Sequence, residues 1–339
     1  MIFVSFLDDR YSRSSVYLQP LRDSKLAIYY QVPTKFFKTL IFVLKLNREK
    51  DDVIVVMSPS HKLTLFLRLF TYKKKIILDA GWSLSEASKL RDNNKIRLIK
   101  DLILDFLSFK AANQILVEST SQLTYLSRKF RIDKSKLDVL FTGFNESNFK
   151  EKNPIMPKEL KEVNLQKKRV VFFRGKYNQE SGINLILDVL KEIKSHKIHF
   201  IIATNNDSIQ HFNSENITVI TRYLENHEIR YLYELCDISI GQMGENSRIE
   251  NTVAHKVYES MYFGVPIICQ DSSPHREILE NQNYPLFVKG NLKRELSQLL
   301  VKCIEDEINI QELRDKITSQ YKAKLSQEIL SKKFIQLIK

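Results

Sequence analysis

Short apolar runs rich in Ile, Val and Phe alternate along the chain with longer stretches whose apolar positions recur every three or four residues. Runs that are apolar at nearly every position suit strands of a parallel sheet covered on both faces, and the second kind suits the helices that cover them. The pattern predicts a first series of strands at 2–7, 26–32, 53–57, 75–79, 114–118 and 137–141. A second series is predicted at 169–173, 198–203, 217–221, 238–241, 266–269 and 286–288. The clearest helix spans 95–110, where Ile96, Ile99, Leu102, Ile103, Phe106 and Leu107 fall on one face.

Between the two series lies a charged segment, 150–168, with Pro154 and Pro157 and no sustained periodicity. It is the linker expected between two domains, and 339 residues suit two cores better than one. The expected organisation is therefore a Rossmann-like domain over 1–150, a second over 169–310, and a helical C-terminal segment over 311–339. Ligands of parallel sheets bind beyond the carboxyl ends of the strands, so residues just after each strand in a crevice between the domains matter most.

Composition narrows the class. Three cysteines, Cys236, Cys269 and Cys303, are spaced like neither a disulfide framework nor a CxxC metal site, which suits a reducing cytoplasm. The opening MIFVSFL meets Asp8 and Asp9 at once and reads as a buried strand rather than a signal peptide. Lys38 and Lys45 interrupt the most apolar stretch, 36–46, so no spanning helix is expected and the protein reads as soluble or peripheral. Residues 1–150 hold 26 Lys/Arg against 15 Asp/Glu, whereas 151–339 hold 27 against 25. The excess charge in the first half is either a solvated surface or a face for an anionic partner such as a membrane.

Two segments carry candidate chemistry. In VVFFRGKYNQESGINLILDVL a buried strand ends at Phe173 and is followed by Arg174, Gly175 and Lys176. Glycine lets the backbone turn closely, and the flanking cations can neutralise a diphosphate, unless the turn is merely solvated. In NTVAHKVYESMYFGVPIICQD, Asn251 or Thr252 is a natural N-cap for a helix on which His255, Lys256 and Glu259 share adjoining faces. A lysine in the first turn opposes the helix dipole, a conflict that a bound phosphate would relieve. Glu259 could accept hydrogen bonds from a ribose, or could pair with Lys256 as a surface ion pair.

RGKYNQESG followed about 75 residues later by AHKVYESMYFGVPIIC resembles the C-terminal half of family-4-type glycosyltransferases. The resemblance, which runs over about 169–290, implies two Rossmann-like domains of the GT-B fold, with C-terminal helices returning to the N-terminal domain. It further implies retention of anomeric configuration, a nucleotide-diphosphate sugar linked to UDP or GDP as donor, no cofactor, and a role in polysaccharide synthesis. Lys176 takes the position of a phosphate-binding arginine, and Glu259 that of the second Glu on the nucleoside- and sugar-holding helix. Arg174, Gly175, Asn251, Thr252, His255 and Lys256 complete the implied donor site, with Lys176 and Glu259 beside the reaction. Ser181 stands where a second phosphate cation is usual, and Asn251 replaces the first Glu.

In the first domain, Ser58, Ser60, His61, Asp79, Gly81 and Trp82 follow predicted strands and should face the crevice. Asp79 is the candidate beside the reacting sugar, or else caps its turn. Ser119 or Thr120 reads as an N-cap after its strand, and Asn145 replaces the family's Asp in a Gly-Val-Asp turn. Phe36, Phe37, Leu40, Ile41 and Leu44 lie on a lysine-edged helix that either packs on the core or touches an anionic membrane holding a lipid-linked glycan acceptor. No DxD occurs, so no metal is expected, and Walker, GxGxxG, HExxH and GxSxG patterns are missing. No interleaved aromatic and basic RNA-binding pattern occurs either, so a nucleic-acid partner is not expected. A non-catalytic nucleotide- or glycan-binding protein of the same fold is the alternative to an enzyme.

Overall fold

The computed structural model describes residues 1–8, 12–71, 73–91, 94–150, 153–178, 181–244, 248–280 and 284–338. Asp9 and the Gln179-Glu180 step of the strand-end segment lie outside them. The chain forms two compact units: residues 1–144 with 250–252 and 327–339, and residues 145–249 with 253–326. The C-terminal division thus falls between 326 and 327 rather than at 310.

In the first unit the elements run β1 (Ile2–Ser5), α1 (Ser12–Asp23), β2 (Ile28–Gln31), α2 (Phe36–Leu46), β3 (Val53–Met57), α3 (His61–Phe70) and β4 (Lys75–Asp79). They continue through α4 (Leu84–Arg91), α5 (Lys95–Ala111), β5 (Gln114–Val117), α6 (Thr120–Phe130) and β6 (Leu137–Val139). The six strands are all parallel, in the order β2-β1-β3-β4-β5-β6. Strand period two divides their side chains between two cores. Ile2, Ile54, Val56, Ile76 and Ile115 meet α2, α3 and α5 on one face. Phe3, Val55, Met57, Ile77 and Leu116 meet Val16 and Tyr17 of α1 on the other.

The second unit runs β7 (Arg169–Arg174), α7 (Ile183–Glu192), β8 (Ile198–Ala203), β9 (Ile217–Ile220), α8 (Asn226–Leu235) and β10 (Ile238–Ile240). It ends with α9 (His255–Tyr262), β11 (Ile267–Gln270), α10 (Ser273–Leu279), β12 (Phe287–Val288), α11 (Leu292–Ile304) and α12 (Ile310–Gln320). Its parallel sheet has the order β12-β11-β10-β7-β8-β9. Successive connections therefore reverse direction between β7 and β10, which is where sheets of this kind leave a ligand site at their carboxyl ends. The final helix, α13 (Gln327–Ile338), packs on the first unit, where Phe334 stacks on Tyr17 at 4.7 Å between ring centroids.

Helix α5 is rotated against expectation. Its six stripe residues are exposed, and Asp105, Ser108 and Phe109 are buried instead. The reason is polar. Asp105 accepts from the backbone N–H groups of Leu84 and Ser85 at 3.0 and 2.8 Å, capping α4, and Ser108 donates to the His61 carbonyl at 2.9 Å. Satisfied buried polar groups fix which face turns inward.

Candidate functional site

The second unit gathers Arg174, Gly175, His255, Lys256 and Glu259 at the carboxyl end of β7. The bulky buried run Val170–Phe173 makes a central strand, and Arg174 is its first residue to leave the core. One guanidinium nitrogen, Nη1, lies 2.6 Å from both oxygens of Glu259 on α9. Tyr233 of α8 donates to Glu259 Oε2 at 3.0 Å, and His255 Nδ1 lies 3.1 Å from Oε1. Burial alone would raise the Glu259 pKa, but Arg174 and His255 hold it well below the usual carboxylate range. Glu259 in turn raises Arg174, while burial and Glu259 together push the Tyr233 hydroxyl up.

Lys256 does not join this pairing. Its ammonium is buried, has no hydrogen-bond partner among the described residues, and sits 4.0 Å from the centroid of the Phe173 ring. Burial lowers its pKa to about 7, with attraction from Glu259 and repulsion from Arg174 opposing each other. Gly175 makes room for it, since a Cβ there would lie 3.2 Å from Lys256 Nζ and 3.0 Å from the Phe173 ring. The surface pair of Lys256 with Glu259 considered from spacing is not formed; Glu259 is taken by Arg174. A desolvated ammonium without an acceptor is costly, and an anionic ligand would offset that cost. Lys176, next along the turn, is exposed.

Helix α9 begins at His255 with Ala254 in the N-cap position, so neither Asn251 nor Thr252 caps it. Both are buried and group with the first unit, where the Asn251 carbonyl accepts from Ser119 Oγ. Ser181 turns back on its own loop: its Oγ donates to the Asn178 carbonyl at 2.9 Å and accepts from Ile183 N at 3.3 Å. Gly182, at φ 70°, abuts the segment after β10, and a Cβ there would lie 1.8 Å from the Met243 carbonyl oxygen.

The residues expected to line the first domain's strand ends form a packed floor. Asp79 is fully buried: Arg13 Nε donates to Oδ1 at 2.7 Å and the Tyr17 hydroxyl donates to Oδ2. With both oxygens engaged it anchors Arg13 rather than standing open to a sugar. Arg13 also donates to Thr142 Oγ1 at 3.1 Å and lies 3.9 Å from Glu118, while its Nη2 is buried without a partner among the described residues. Burial would lower the Arg13 pKa, but Asp79 and Glu118 raise it. Arg13 was not evident from the sequence; the only signal is its spacing of four from Tyr17 on a helix after β1.

His61 opens α3 with both ring nitrogens buried and unpartnered, and burial lowers its pKa. Ser60 Oγ bonds Ser5 Oγ at 3.0 Å and accepts from Phe6 N at 2.9 Å, tying the ends of β1 and β3 together. Ser119 caps α6 by accepting from Gln122 N at 3.0 Å.

Two parallel α/β units of this kind make up the GT-B fold, and the second carries Arg174 and Lys256 at its switch point. Residues 156–324 match the family model of glycosyl transferases group 1. No curated protein matches the sequence. Among solved structures, Anabaena HepE in complex with UDP shares the fold with a TM-score of 0.73 at 12% identity, over 99% of this chain and 98% of that one. HepE with UDP-glucose gives 0.71 at 12% identity over the same shares, 99% and 98%. Sucrose-phosphate synthase from Thermosynechococcus elongatus gives 0.68 at 15% identity, over 92% of this chain and 82% of that one.

Proposed function

We propose that the chain transfers a sugar from a UDP- or GDP-linked donor to a glycan or lipid-linked glycan, with retention and without a metal ion. The observation that carries this is the buried, unpartnered Lys256 ammonium beside Gly175 and the Arg174–Glu259 pair. Only Nη1 of Arg174 is committed to Glu259, so the rest of its guanidinium can face a donor phosphate, with exposed Lys176 at the rim. His255 and Tyr233 hold the Glu259 carboxylate, and Glu259 holds Arg174.

In the reaction the bond from the anomeric carbon to the β-phosphate oxygen breaks and its electron pair stays on the phosphate. The acceptor hydroxyl oxygen bonds that carbon and its proton passes to the departing phosphate. Charge grows on the phosphate as the bond breaks, so fixed cations favour the transition state over the ground state, each by on the order of 10²-fold in rate. Asp79 acts by holding Arg13 in the acceptor-binding unit. UDP-bound and UDP-glucose-bound HepE favour a uridine donor. Three buried free thiols suit a reducing cytoplasm.

Ser181, which bonds within its own loop and supplies no cation, and Asn251, whose carbonyl accepts from Ser119, favour a second reading, a binding protein without turnover. Thermal shift with UDP, GDP and their sugars, without divalent ions, followed by assay of donor consumption separates the two. Binding with consumption supports the enzyme, binding alone supports the second reading, and no binding overturns both.

A further inference from the structure

The outward face of α5 is apolar. Ile96, Ile99, Leu102, Ile103, Phe106 and Leu107 are all exposed, from 39% at Leu102 to 81% at Ile96. On α2, Phe36, Phe37, Ile41 and Leu44 are exposed as well, while Thr39, Val43 and Leu46 turn inward. The two helices flank α3, whose Leu69 is 73% exposed, and Val43, Leu63 and Phe109 of the three enter one core. One helical layer of the first unit therefore presents apolar side chains on its outer side. Exposed apolar side chains in this number on one helical layer mark a docking face.

Its charge identifies the partner. Residues 35–48, 61–70 and 95–110 carry ten Lys/Arg and two carboxylates, Asp101 and Asp105. Asp105 is buried as the cap of α4, and Asp101 is engaged by Ser88 and by Arg97 at 3.8 Å. Exposed Lys35, Lys38, Lys45, Lys62, Lys95, Lys100 and Lys110 fringe the apolar rows. Lys62 reaches over the Phe66 ring and Lys110 over Phe106, each at 5.8 Å, so their stems lie along apolar surface with the charge at the edge. A second copy of the chain would set this cationic fringe against itself. A negatively charged interface with an apolar interior matches both features.

We propose that the outer face of α2, α3 and α5 docks on an anionic lipid bilayer, with its apolar side chains at the acyl boundary and its lysines among the headgroups. No helix among the described residues is long and apolar enough to cross a membrane, so attachment is in the interfacial plane. The proposal bears on the lipid-linked acceptor above, but it rests on this surface alone.

The test is flotation of the full chain with vesicles of phosphatidylglycerol and phosphatidylcholine, and with phosphatidylcholine alone, in low salt without donor or acceptor. A failure here therefore leaves the transfer reading standing. The chain is expected to float with the anionic vesicles and to dissociate as salt is raised. Ile99→Ser with Leu102→Ser and Phe106→Ser, checked by thermal melting, is expected to lower partition by at least about 10-fold. Lys38→Gln with Lys45→Gln and Lys100→Gln is expected to lower it by about 5-fold per lysine. Absence from anionic vesicles at low salt overturns the proposal, as does equal flotation of the serine variant. A dimer in light scattering that the serine variant converts to monomer also overturns it, assigning the face to a second copy.

Discussion

Arg174 Nη1 lies 2.6 Å from each carboxylate oxygen of Glu259, joining the end of β7 to α9 across 85 positions of sequence. The pair is lopsided, with the Glu259 side chain 6% exposed and that of Arg174 34%. Glu259→Gln should therefore cost less than the roughly 3–5 kcal/mol of breaking a fully buried pair; about 1–2 kcal/mol is expected by urea unfolding. Because the native Glu259 pKa is depressed from 4.5, its contribution is present above pH 4.5 and lost as pH falls through the native value. The glutamine variant should lack that acid-side loss.

Lys256 titrates in the opposite sense. Its pKa falls from 10.5 to about 7 in the native chain, so the unfolded chain binds more protons between those values. Its contribution to stability therefore rises as pH climbs from about 7 to 10.5, and Lys256→Met should flatten that rise. A diphosphate beside the ammonium raises its pKa again. UDP binding at about pH 8 should take up close to one proton, seen as a dependence of binding heat on buffer ionisation enthalpy. Lys256→Met should abolish the uptake and weaken binding by about 10-fold or more, the worth of one charged hydrogen bond.

Gly182→Ala meets the Met243 carbonyl oxygen at 1.8 Å and must hold φ at 70°. A loss of at least about 2 kcal/mol is expected by thermal unfolding, because the left-handed backbone penalty adds to forced movement of the adjoining loop. UDP affinity should fall with it, since α7 begins one residue later.

Arg13 and Asp79 are 3% and 0% exposed, so Asp79→Ala leaves a buried guanidinium uncompensated and should cost about 3–5 kcal/mol. Arg13→Met with Asp79→Leu should recover much of that loss in a double-mutant cycle, because no lone charge remains buried. Failure of the pair to recover would mean that Arg13 has partners beyond Asp79 that dominate its environment.

The strands were legible because runs such as Val53–Met57, Lys75–Asp79 and Ile198–Ala203 are mostly apolar, with Asp79 and His199 as buried exceptions, and their bounds match expectation. The spacing of His255 and Glu259 also gave a contact that forms. The rotation of α5 was not legible: an apolar stripe normally turns inward, but Asp105 and Ser108 find backbone partners 20 and 47 positions away that no local pattern reveals. The start of α9 was misplaced because Asn251 and Thr252, good capping residues, are drawn into the first unit. Nor could spacing show that Arg174, 85 positions from Glu259, would displace Lys256, three positions away. Long-range charge pairing outweighed local proximity.

Helix α13 closes the apolar side of the first sheet formed by Phe3, Tyr17 and Leu116, and its end is held there by Lys75 donating to the Ile338 carbonyl at 3.0 Å. During vectorial synthesis those surfaces emerge from the ribosome long before residues 327–338 exist. The amino-terminal unit therefore stays incompletely covered while the whole second sheet is translated, and nascent chains stopped short of this helix leave that apolar surface open to aggregation.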